Sequence, residues 1–353
     1  MKKPVRLWKN SIFSVGVLAL AVQGVANAKD DVIYLYDWAE YIPPGLLEDF
    51  TAQTGIKVIF SSFESNETMY AKMKTMGKSG GYDVIAPSNY FVSKMRKEGM
   101  LLPLDHSKLP SLKELDPEML DKPYDPGNQY SVPQIFGATA IAYNSDVYSA
   151  DTFSSWNDLW KPEFKDKLQL TDDARELFHV ALVTMGQDPN TTDPELIKQA
   201  YEKLLKLRPN VLTFNSDNPA NSFIAGEVNA GMLWNGSAFI ARKEGVPINI
   251  SWPKEGAIFW MDTLAIPATS QNPEAAHKLI NYLISAPVAE RVALEVGYPT
   301  PNLLAREKLP QEIVQDTQLY PPLEVMKKSI WQDDVGDVSA LYENYFQQFK
   351  AAK

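Results

Sequence analysis

The alternation of strands and helices that decides the fold begins at residues 32–63, which read VIYLYDWAEYIPPGLLEDFTAQTGIKVIFSSF. Its first seven residues are rich in β-branched and aromatic side chains and predict a strand over Val32–Trp38. Pro43-Pro44 and Gly55 predict the start and end of a helix, because proline suits the first helical turn and glycine the position after the last. Residues 56–63 then predict a second strand.

The alternation continues beyond this stretch. Apolar side chains at helical spacing predict a helix over Asn66–Met76, and glycines follow it. Residues 82–87 predict a third strand and residues 92–98 a short helix. This β-α-β-α-β order predicts a parallel sheet with right-handed crossover connections.

The rest of the chain is less regular. Prolines are frequent between residues 103 and 133 and no periodicity is visible, so we expect this passage to run over the surface. Residues 138–144 predict a strand that leaves the first lobe, and residues 156–160 begin the second. The remaining predicted strands are 168–170, 228–234 and 258–267, and the remaining predicted helices are 174–185, 194–207, 272–285, 287–297 and 335–352.

Composition limits the class of protein. The chain has 353 residues, of which 45% are hydrophobic and 22% charged, as is typical of a folded protein of about two domains. It contains no cysteine, which excludes disulfides, thiol catalysis and cysteine-ligated metals. The formal net charge of −10 argues against a general nucleic-acid binder, which needs Lys and Arg to neutralise phosphates.

The N-terminus predicts a secretory signal peptide over residues 1–28. Four basic residues precede a mostly apolar stretch at residues 12–25, and Ala26-Asn27-Ala28 then fits a cleavage site. The alternative is a membrane anchor, but the apolar stretch is short and is interrupted by polar residues. We therefore expect a mature chain that begins at Lys29, lies in the periplasm and is not stably inserted in a membrane.

The predicted elements form two α/β lobes, each a central β-sheet flanked by helices. We place the first lobe at residues 29–137 and 260–306 and the second at residues 138–259 and 307–353. In open α/β sheets, ligands bind beyond the carboxyl ends of the strands. The side chains at the predicted strand ends are aromatic and acidic. They suit an organic cation, since carboxylates neutralise ammonium groups and aromatic faces attract them. The side chains at these strand ends are Trp38, Ser88, Tyr90, Asp172, Asp173 and Trp234.

The sequence contains no motif for binding a metal or for nucleophilic catalysis. The three histidines, His106, His179 and His277, have no metal-binding spacing, and we expect each on the surface or on a helix flank. The sequence contains no GxSxG nucleophile motif. We expect neither a metal nor an organic cofactor.

Seven motifs carry a resemblance to a known family. They are residues 36–44 (YDWAEYIPP), 64–68 (ESNET), 170–176 (LTDDARE), 214–219 (FNSDNP), 234–239 (WNGSAF), 259–262 (FWMD) and 297–302 (GYPTPN). Together they resemble the spermidine/putrescine-binding proteins of bacterial polyamine ABC importers, and in particular the spermidine-preferring branch. The resemblance runs from about Val32 to the C-terminus and implies the two-lobed periplasmic binding protein fold, with the ligand in the interlobe cleft.

The resemblance also implies a set of ligand contacts. Asp173, Glu176 and Asp262 are expected to be the charge partners of the ligand, and the aromatic residues to line its channel. One position departs from the family pattern, because Ala39 stands where a hydroxyl side chain is expected after the tryptophan. The full expected set is Trp38, Glu40, Tyr41, Ser88, Tyr90, Asp173, Glu176, Trp234, Trp260, Asp262, Tyr298 and Gln332.

The function implied is capture of spermidine, and more weakly putrescine, in the periplasm and delivery to the membrane permease of an ABC transporter. Binding rather than reaction is the expected activity, so we expect no enzyme, and we expect a monomer. One alternative is a carbohydrate-binding protein of an ABC importer. Others are a polyamine sensor that docks on a signalling receptor and a periplasmic hydrolase that uses a carboxylate pair.

Structural alternatives remain open for individual residues. Asp173 and Glu176 have the spacing of a helix-capping pair, although Ser or Thr is the usual cap. The tryptophans are also plausible core residues. Asp262 lies in an apolar run, where an acid is costly unless paired, and it is either a ligand partner or a structural acid paired with Lys or Arg.

Overall fold

The computed structural model describes residue 1, residues 32–77 and residues 80–352. Apart from Met1, the predicted signal peptide lies outside the described residues. The strands are β1 (Val32–Trp38), β2 (Lys57–Phe63), β3 (Val84–Ile85), β4 (Ser131–Asn144), β5 (Leu168–Leu170), β6 (Val211–Phe214), β7 (Ala230–Trp234), β8 (Ile248–Ser251), β9 (Ile258–Ala265) and β10 (Ile330–Trp331).

Helices alternate with these strands along the chain. The longer helices are α1 (Leu46–Thr54), α2 (Asn66–Met76), α3 (Asn89–Lys97), α4 (Ala174–Val183), α5 (Pro194–Leu207), α7 (Asn235–Lys243), α8 (Pro273–Ile284), α9 (Ala286–Glu295) and α13 (Ser339–Ala351). Shorter ones are α6 (Pro219–Ile224), α10 (Leu303–Arg306), α11 (Gln311–Val314) and α12 (Leu323–Lys328). None of the helices in the described residues is long and apolar enough to cross a membrane.

The strands join in one curled sheet in the order β2-β1-β3-β9-β4-β7-β5-β6, with β10 beside β9 and β8 beside β4. β1 pairs in parallel with both β2 and β3, which confirms the predicted parallel arrangement of the first three strands. β9 runs antiparallel to β3 and β4, and β4 runs antiparallel to β7. The sheet is therefore mixed, with two parallel groups joined through an antiparallel centre.

Two apolar clusters lie along this sheet, and the long strands β4 and β9 contribute to both. Ile135 of β4 and Leu264 of β9 pack in the first cluster, with the helices that follow β1 and β2. Ile141 of β4 and Ile258 of β9 pack in the second cluster, with α4, α5 and α13. The central strands thus connect one core to the other.

Local sequence explains the helix ends beside these strands. Gly55 takes a positive φ of 75° after α1, a conformation that favours glycine, and its N–H bonds Thr51. The Ser65 side chain accepts a hydrogen bond from the N–H of Thr68 and caps α2. The predicted bounds of β1 and α2 are both confirmed.

Several expectations for the irregular regions were wrong. The passage at residues 103–133 does not simply cover the surface, because its Leu109, Leu115 and Tyr124 are buried against the first cluster. β4 begins at Ser131, well before residue 138, since its first half pairs with β9. Sequence reading missed the helix α7 and the short elements β6, β8, β10, α6, α10, α11 and α12, which are stabilised by pairing and packing more than by local pattern.

The histidine expectation was also wrong in part. His179 is only 2% exposed and lies within α4, where burial lowers its pKa to about 3. His277 is buried as well, and its Nε2 accepts a hydrogen bond from the N–H of Asp105. Over the described ranges, no group of three His, Cys, Asp or Glu residues is placed to hold a metal ion.

Candidate ligand-binding site

A cleft with about 350 Å³ of empty space lies where the strand ends of the two parallel groups meet. Ten of the twelve residues expected at the site line it, and the two exceptions are Glu40 and Tyr298. Asn66 lines it although it was not expected there. The full lining is Trp38, Tyr41, Asn66, Ser88, Tyr90, Asp173, Glu176, Trp234, Trp260, Asp262 and Gln332.

The strand-end rule explains several of these positions. Trp38 ends β1, Ser88 precedes α3, Asp173 precedes α4 and Trp234 ends β7. Asp172 was a candidate by the same rule, but it does not line the cleft. Its carboxylate instead forms an ion pair with Lys350 at 2.7 Å, because Asp172 lies on the side of the turn that faces α13.

The first face of the cleft consists of Tyr41, Asn66, Ser88 and Asp262. The Tyr41 hydroxyl donates to Oδ2 of Asp262 and the Ser88 hydroxyl donates to Oδ1, each at 2.5 Å. Asp262 is 3% exposed and forms no ion pair with Lys or Arg among the described residues. The alternative in which Asp262 is a structural acid paired with a cation is therefore wrong in this structure.

Asn66 fixes the first face from behind. Its Nδ2 donates to the Ser88 hydroxyl at 2.9 Å and to the Tyr90 hydroxyl at 3.1 Å, and its Oδ1 accepts from the N–H of Ser88 at 2.9 Å. Asn66 also begins α2 and is buried. Asn66 lies in one of the motifs that carry the resemblance, but nothing in the sequence indicated that its amide reaches across to α3.

The second face consists of Asp173, Glu176 and Trp234. Oδ1 of Asp173 accepts a hydrogen bond from the N–H of Glu176 at 2.9 Å and caps α4, so the capping alternative is confirmed. Glu176 does not return the bond as a capping box would. Its Oε1 accepts from the Thr139 hydroxyl at 2.5 Å and from Nε1 of Trp234 at 3.2 Å. Its Oε2 is buried and makes no hydrogen bond of normal geometry in the described part of the chain, although the Thr171 side chain is close enough to lower the pKa of Glu176.

Burial makes both faces favourable for a cation. Desolvation raises the pKa of Asp262 to about 7 and, despite its capping bond, that of Asp173 to about 6. Burial and the neighbouring Asp173 carboxylate raise the pKa of Glu176 to about 8. A bound ammonium group would stabilise the charged form of each acid and lower these values.

Aromatic side chains frame the acids. The ring centroids of Trp38 and Trp234 are 6.3 Å apart, and those of Trp234 and Trp260 are 6.4 Å apart, both with edge-to-face geometry. Trp260 can reach the cleft because Gly137 lies beneath it: a Cβ at that position would come within 2.4 Å of the indole ring. Trp260 also packs in the first cluster, so it is both a core residue and part of the cleft lining.

Two expected contacts lie just outside the lining. Tyr298 packs behind it, with ring centroids 5.4 Å from Tyr41 and 5.7 Å from Trp260, and its hydroxyl bonds Ser237. Glu40 is half-buried, and burial together with the Asp217 carboxylate raises its pKa to about 7. Ala39, the departure from the family pattern, is exposed and does not line the cleft.

The fold and this cleft define an α/β protein with an acidic and aromatic cleft between two groups of strands, a cleft whose chemistry suits a small organic cation. The chain belongs to the family of bacterial extracellular solute-binding proteins, whose model matches residues 45–321. It is 64% identical over 326 residues to spermidine/putrescine-binding periplasmic protein 1 of Haemophilus influenzae, covering 92% of this chain and 91% of that protein. It is 55% identical over 349 residues to the spermidine/putrescine-binding periplasmic protein of Escherichia coli K12, covering 99% and 100% of the two chains.

A solved structure shows the same fold. The spermidine/putrescine ABC transporter substrate-binding protein of Streptococcus pneumoniae superposes with a TM-score of 0.75 at 35% identity, covering 91% of this chain and 99% of that one. The expected periplasmic binding protein fold is confirmed. The relatives are binding proteins of transport systems, so this chain is not an enzyme and the hydrolase alternative is not favoured.

Proposed function

We propose that this protein binds spermidine, and putrescine more weakly, in the periplasm and delivers it to the membrane permease of an ABC importer. The observation that carries the proposal is the cleft, in which Asp173, Glu176 and Asp262 lie among aromatic rings. None of the three acids pairs with Lys or Arg within residues 32–77 and 80–352. The relatives are named for binding spermidine and putrescine, which supports the same ligand class, and a carbohydrate-binding role is not favoured.

Each part of a polyamine has a matching part of the cleft. Ammonium groups pair with the carboxylates, and the unpartnered Oε2 of Glu176 is an acceptor ready for an ammonium N–H. The methylenes pack on Trp38, Trp234 and Trp260, whose faces also attract cations. Because closure excludes water, each charge pair is stronger than it would be at an exposed surface.

We further propose that the ligand is held between two lobes, residues 29–137 with 260–306 and residues 138–259 with 307–353. The two apolar clusters support this division, and β4 and β9 are the strands that pass between them. Bending of these strands would open and close the cleft. Small-angle scattering should then show a smaller radius of gyration at saturating spermidine and the mass of a monomer. An unchanged radius would indicate a rigid, preformed site.

Calorimetric titration tests the ligand class directly. We expect spermidine to bind at about micromolar Kd or tighter, roughly −8 kcal/mol or better, and more tightly than putrescine. Maltose and glutamate serve as neutral and anionic controls. Maltose should not bind because it has no ammonium group, and glutamate should not bind because the buried acids would repel its two carboxylates. Binding of maltose without spermidine would overturn the proposal. A tenfold preference for putrescine would overturn only the rank order.

A further inference from the structure

A second cavity, which is partly open to solvent, adjoins the ligand cleft and shares Gln332 with it. We propose that the side chain of Gln332 forms the end wall of the cleft and so limits the length of the linear polyamine that binds, with the second cavity directly behind that wall. This inference rests on the proposed function, because it concerns which polyamines the same cleft accepts.

A gap in the sheet places the two cavities back to back. One edge of β9 pairs with β10 at Ile258 and Phe259 and with β3 at Ala265. Between these pairings, Ser88 bridges Asp262, and Asn89 and Gln332 fill the remaining space. Because successive side chains of a strand point to opposite faces, Trp260 and Asp262 line the ligand cleft and Met261 lines the second cavity.

Hydrogen bonds from both sides of the gap hold the main chain at Gln332. Asn89 donates from Nδ2 to the Gln332 carbonyl at 2.5 Å, while its Oδ1 accepts from the N–H of Met261 at 3.3 Å. Asn190 donates from Nδ2 to the Trp331 carbonyl and accepts on Oδ1 from the N–H of Asp333, both at 2.9 Å. The main chain on both sides of Gln332 is therefore fixed, and its side chain stays in the gap.

Two buried polar groups at the second cavity are without partners. Gln332 is 3% exposed and Tyr124 is 7% exposed, yet Nε2 of the first and the hydroxyl of the second have no hydrogen-bond partner among the residues described. Such groups are costly unless something bonds to them. The Tyr124 hydroxyl could accept a hydrogen bond from an additional amine, and Asp262 lies close enough for its charge to act on that hydroxyl.

The consequence is a limit on ligand length. Spermidine fills the cleft up to Gln332, while spermine carries one more aminopropyl arm and would have to pass through the space that the glutamine occupies. Shortening Gln332 would connect the cleft to the second cavity, where Tyr124 could bond to the added amine.

Calorimetric titration of the wild type and Gln332→Ala with spermidine and spermine tests the wall. We expect the ratio of spermine to spermidine affinity to rise about tenfold or more in Gln332→Ala, as a change of pocket size commonly produces. Gln332→Met is the matched control: it keeps the volume and removes the amide, so its ratio should stay close to that of the wild type. Gln332→Ser replaces the alanine variant if melting shows that the latter does not fold.

The outcomes separate the two proposals. If the wild type binds neither amine, the proposed function fails. If the wild type binds spermidine but Gln332→Ala leaves the ratio of spermine to spermidine affinity unchanged, the proposed role of Gln332 is wrong and the proposed function stands. The same follows if Gln332→Met raises this ratio as much as Gln332→Ala does. Tyr124→Phe added to Gln332→Ala should remove part of the gain in spermine affinity, and a gain that persists in full would overturn the role of the second cavity.

Discussion

Asp262 on the first face of the cleft and Glu176 on the second are about equally buried but differently bonded. Both oxygens of Asp262 accept hydroxyl hydrogen bonds, from Tyr41 and Ser88. Only Oε1 of Glu176 is bonded within the described ranges, to Thr139 and Trp234, and Oε2 is left without a partner.

The carboxylate of Asp262 is therefore held by hydrogen bonds on both oxygens before a ligand binds, whereas that of Glu176 is held on one oxygen only. Hydroxyls can donate or accept, so the first face can adjust to a change at Asp262 without leaving a polar group unpaired. The second face is less adaptable, because the Thr139 hydroxyl can reorient but the indole N–H of Trp234 can only donate. A ligand ammonium would complete the bonding of Glu176, whereas at Asp262 it would add charge pairing to bonds that already exist.

The largest effect is therefore expected at Glu176. In Glu176→Gln, the amide oxygen can keep the bonds from Thr139 and Trp234, which places the amide NH₂ where the free oxygen was. That NH₂ would face a ligand ammonium, so spermidine affinity should fall toward the upper end of about 2–5 kcal/mol. Titration calorimetry measures the loss. Glu202→Gln on the exposed side of α5 is the matched control and should bind as the wild type does.

A smaller loss is expected for Asp262→Asn, toward the lower end of about 2–5 kcal/mol. The Tyr41 and Ser88 hydroxyls can reorient around the amide, so the ligand-free variant should melt at the same temperature as the wild type or higher. Calorimetry and thermal melting of one preparation decide the matter. A lower melting temperature with unchanged affinity would make Asp262 a structural acid after all and would remove the distinction between the faces.

Trp38→Leu should cost less than either charge change. Leucine keeps an apolar surface against the ligand, so the loss is roughly 0.5–2 kcal/mol of cation–π attraction and packing. The variant also loses the bond from Nε1 of Trp38 to the Ala86 carbonyl, and a melting curve checks the fold. Trp252→Leu, outside the cleft, is the control. A loss that exceeds that of Asp262→Asn would show that the aromatic frame, rather than the charges, governs affinity.

The smallest effect is expected from pH. The acids of the ligand-free cleft have pKa values raised above their ordinary range, to about 6, 7 and 8 for Asp173, Asp262 and Glu176. The folded protein then binds protons more tightly than the unfolded chain. The contribution of these three acids to stability is fully present below about pH 4 and is lost as pH rises through these values. Opening of the ligand-free cleft would rehydrate these acids, so we expect only a small fall in stability with rising pH.

Melting curves between about pH 5 and pH 8 test this, with and without spermidine. The ligand-free melting temperature should fall with rising pH, and the increase caused by spermidine should grow, since binding releases protons. Glu176→Gln should flatten the ligand-free slope more than Asp262→Asn does, because the pKa of Glu176 is higher. Equal slopes in both variants would contradict the difference between the faces.

Much of the fold and of the site could be predicted along the chain. The apolar and β-branched run of β1, the spacing of α2 and the acid before α4 each depend on local physics, and each has the expected place. The resemblance likewise implied ten of the residues that line the cleft, although Ser88, Tyr90 and Gln332 lie outside the seven motifs. These features depend on residues that are close together in the sequence, because side-chain periodicity and helix capping involve only nearby residues.

Tertiary structure alone decided how those residues bond. Asn66 reaches Ser88 and Tyr90, Tyr41 reaches Asp262, and Glu176 is left with one free oxygen, all through contacts between distant elements. The buried passage before β4 was unpredictable for the same reason, since its leucines pack against helices that come much later in the chain. Sequence determined which side chains stand at the strand ends, because side-chain type and period are local. The bonding and protonation of those side chains depend on burial and distance, which only the folded chain sets.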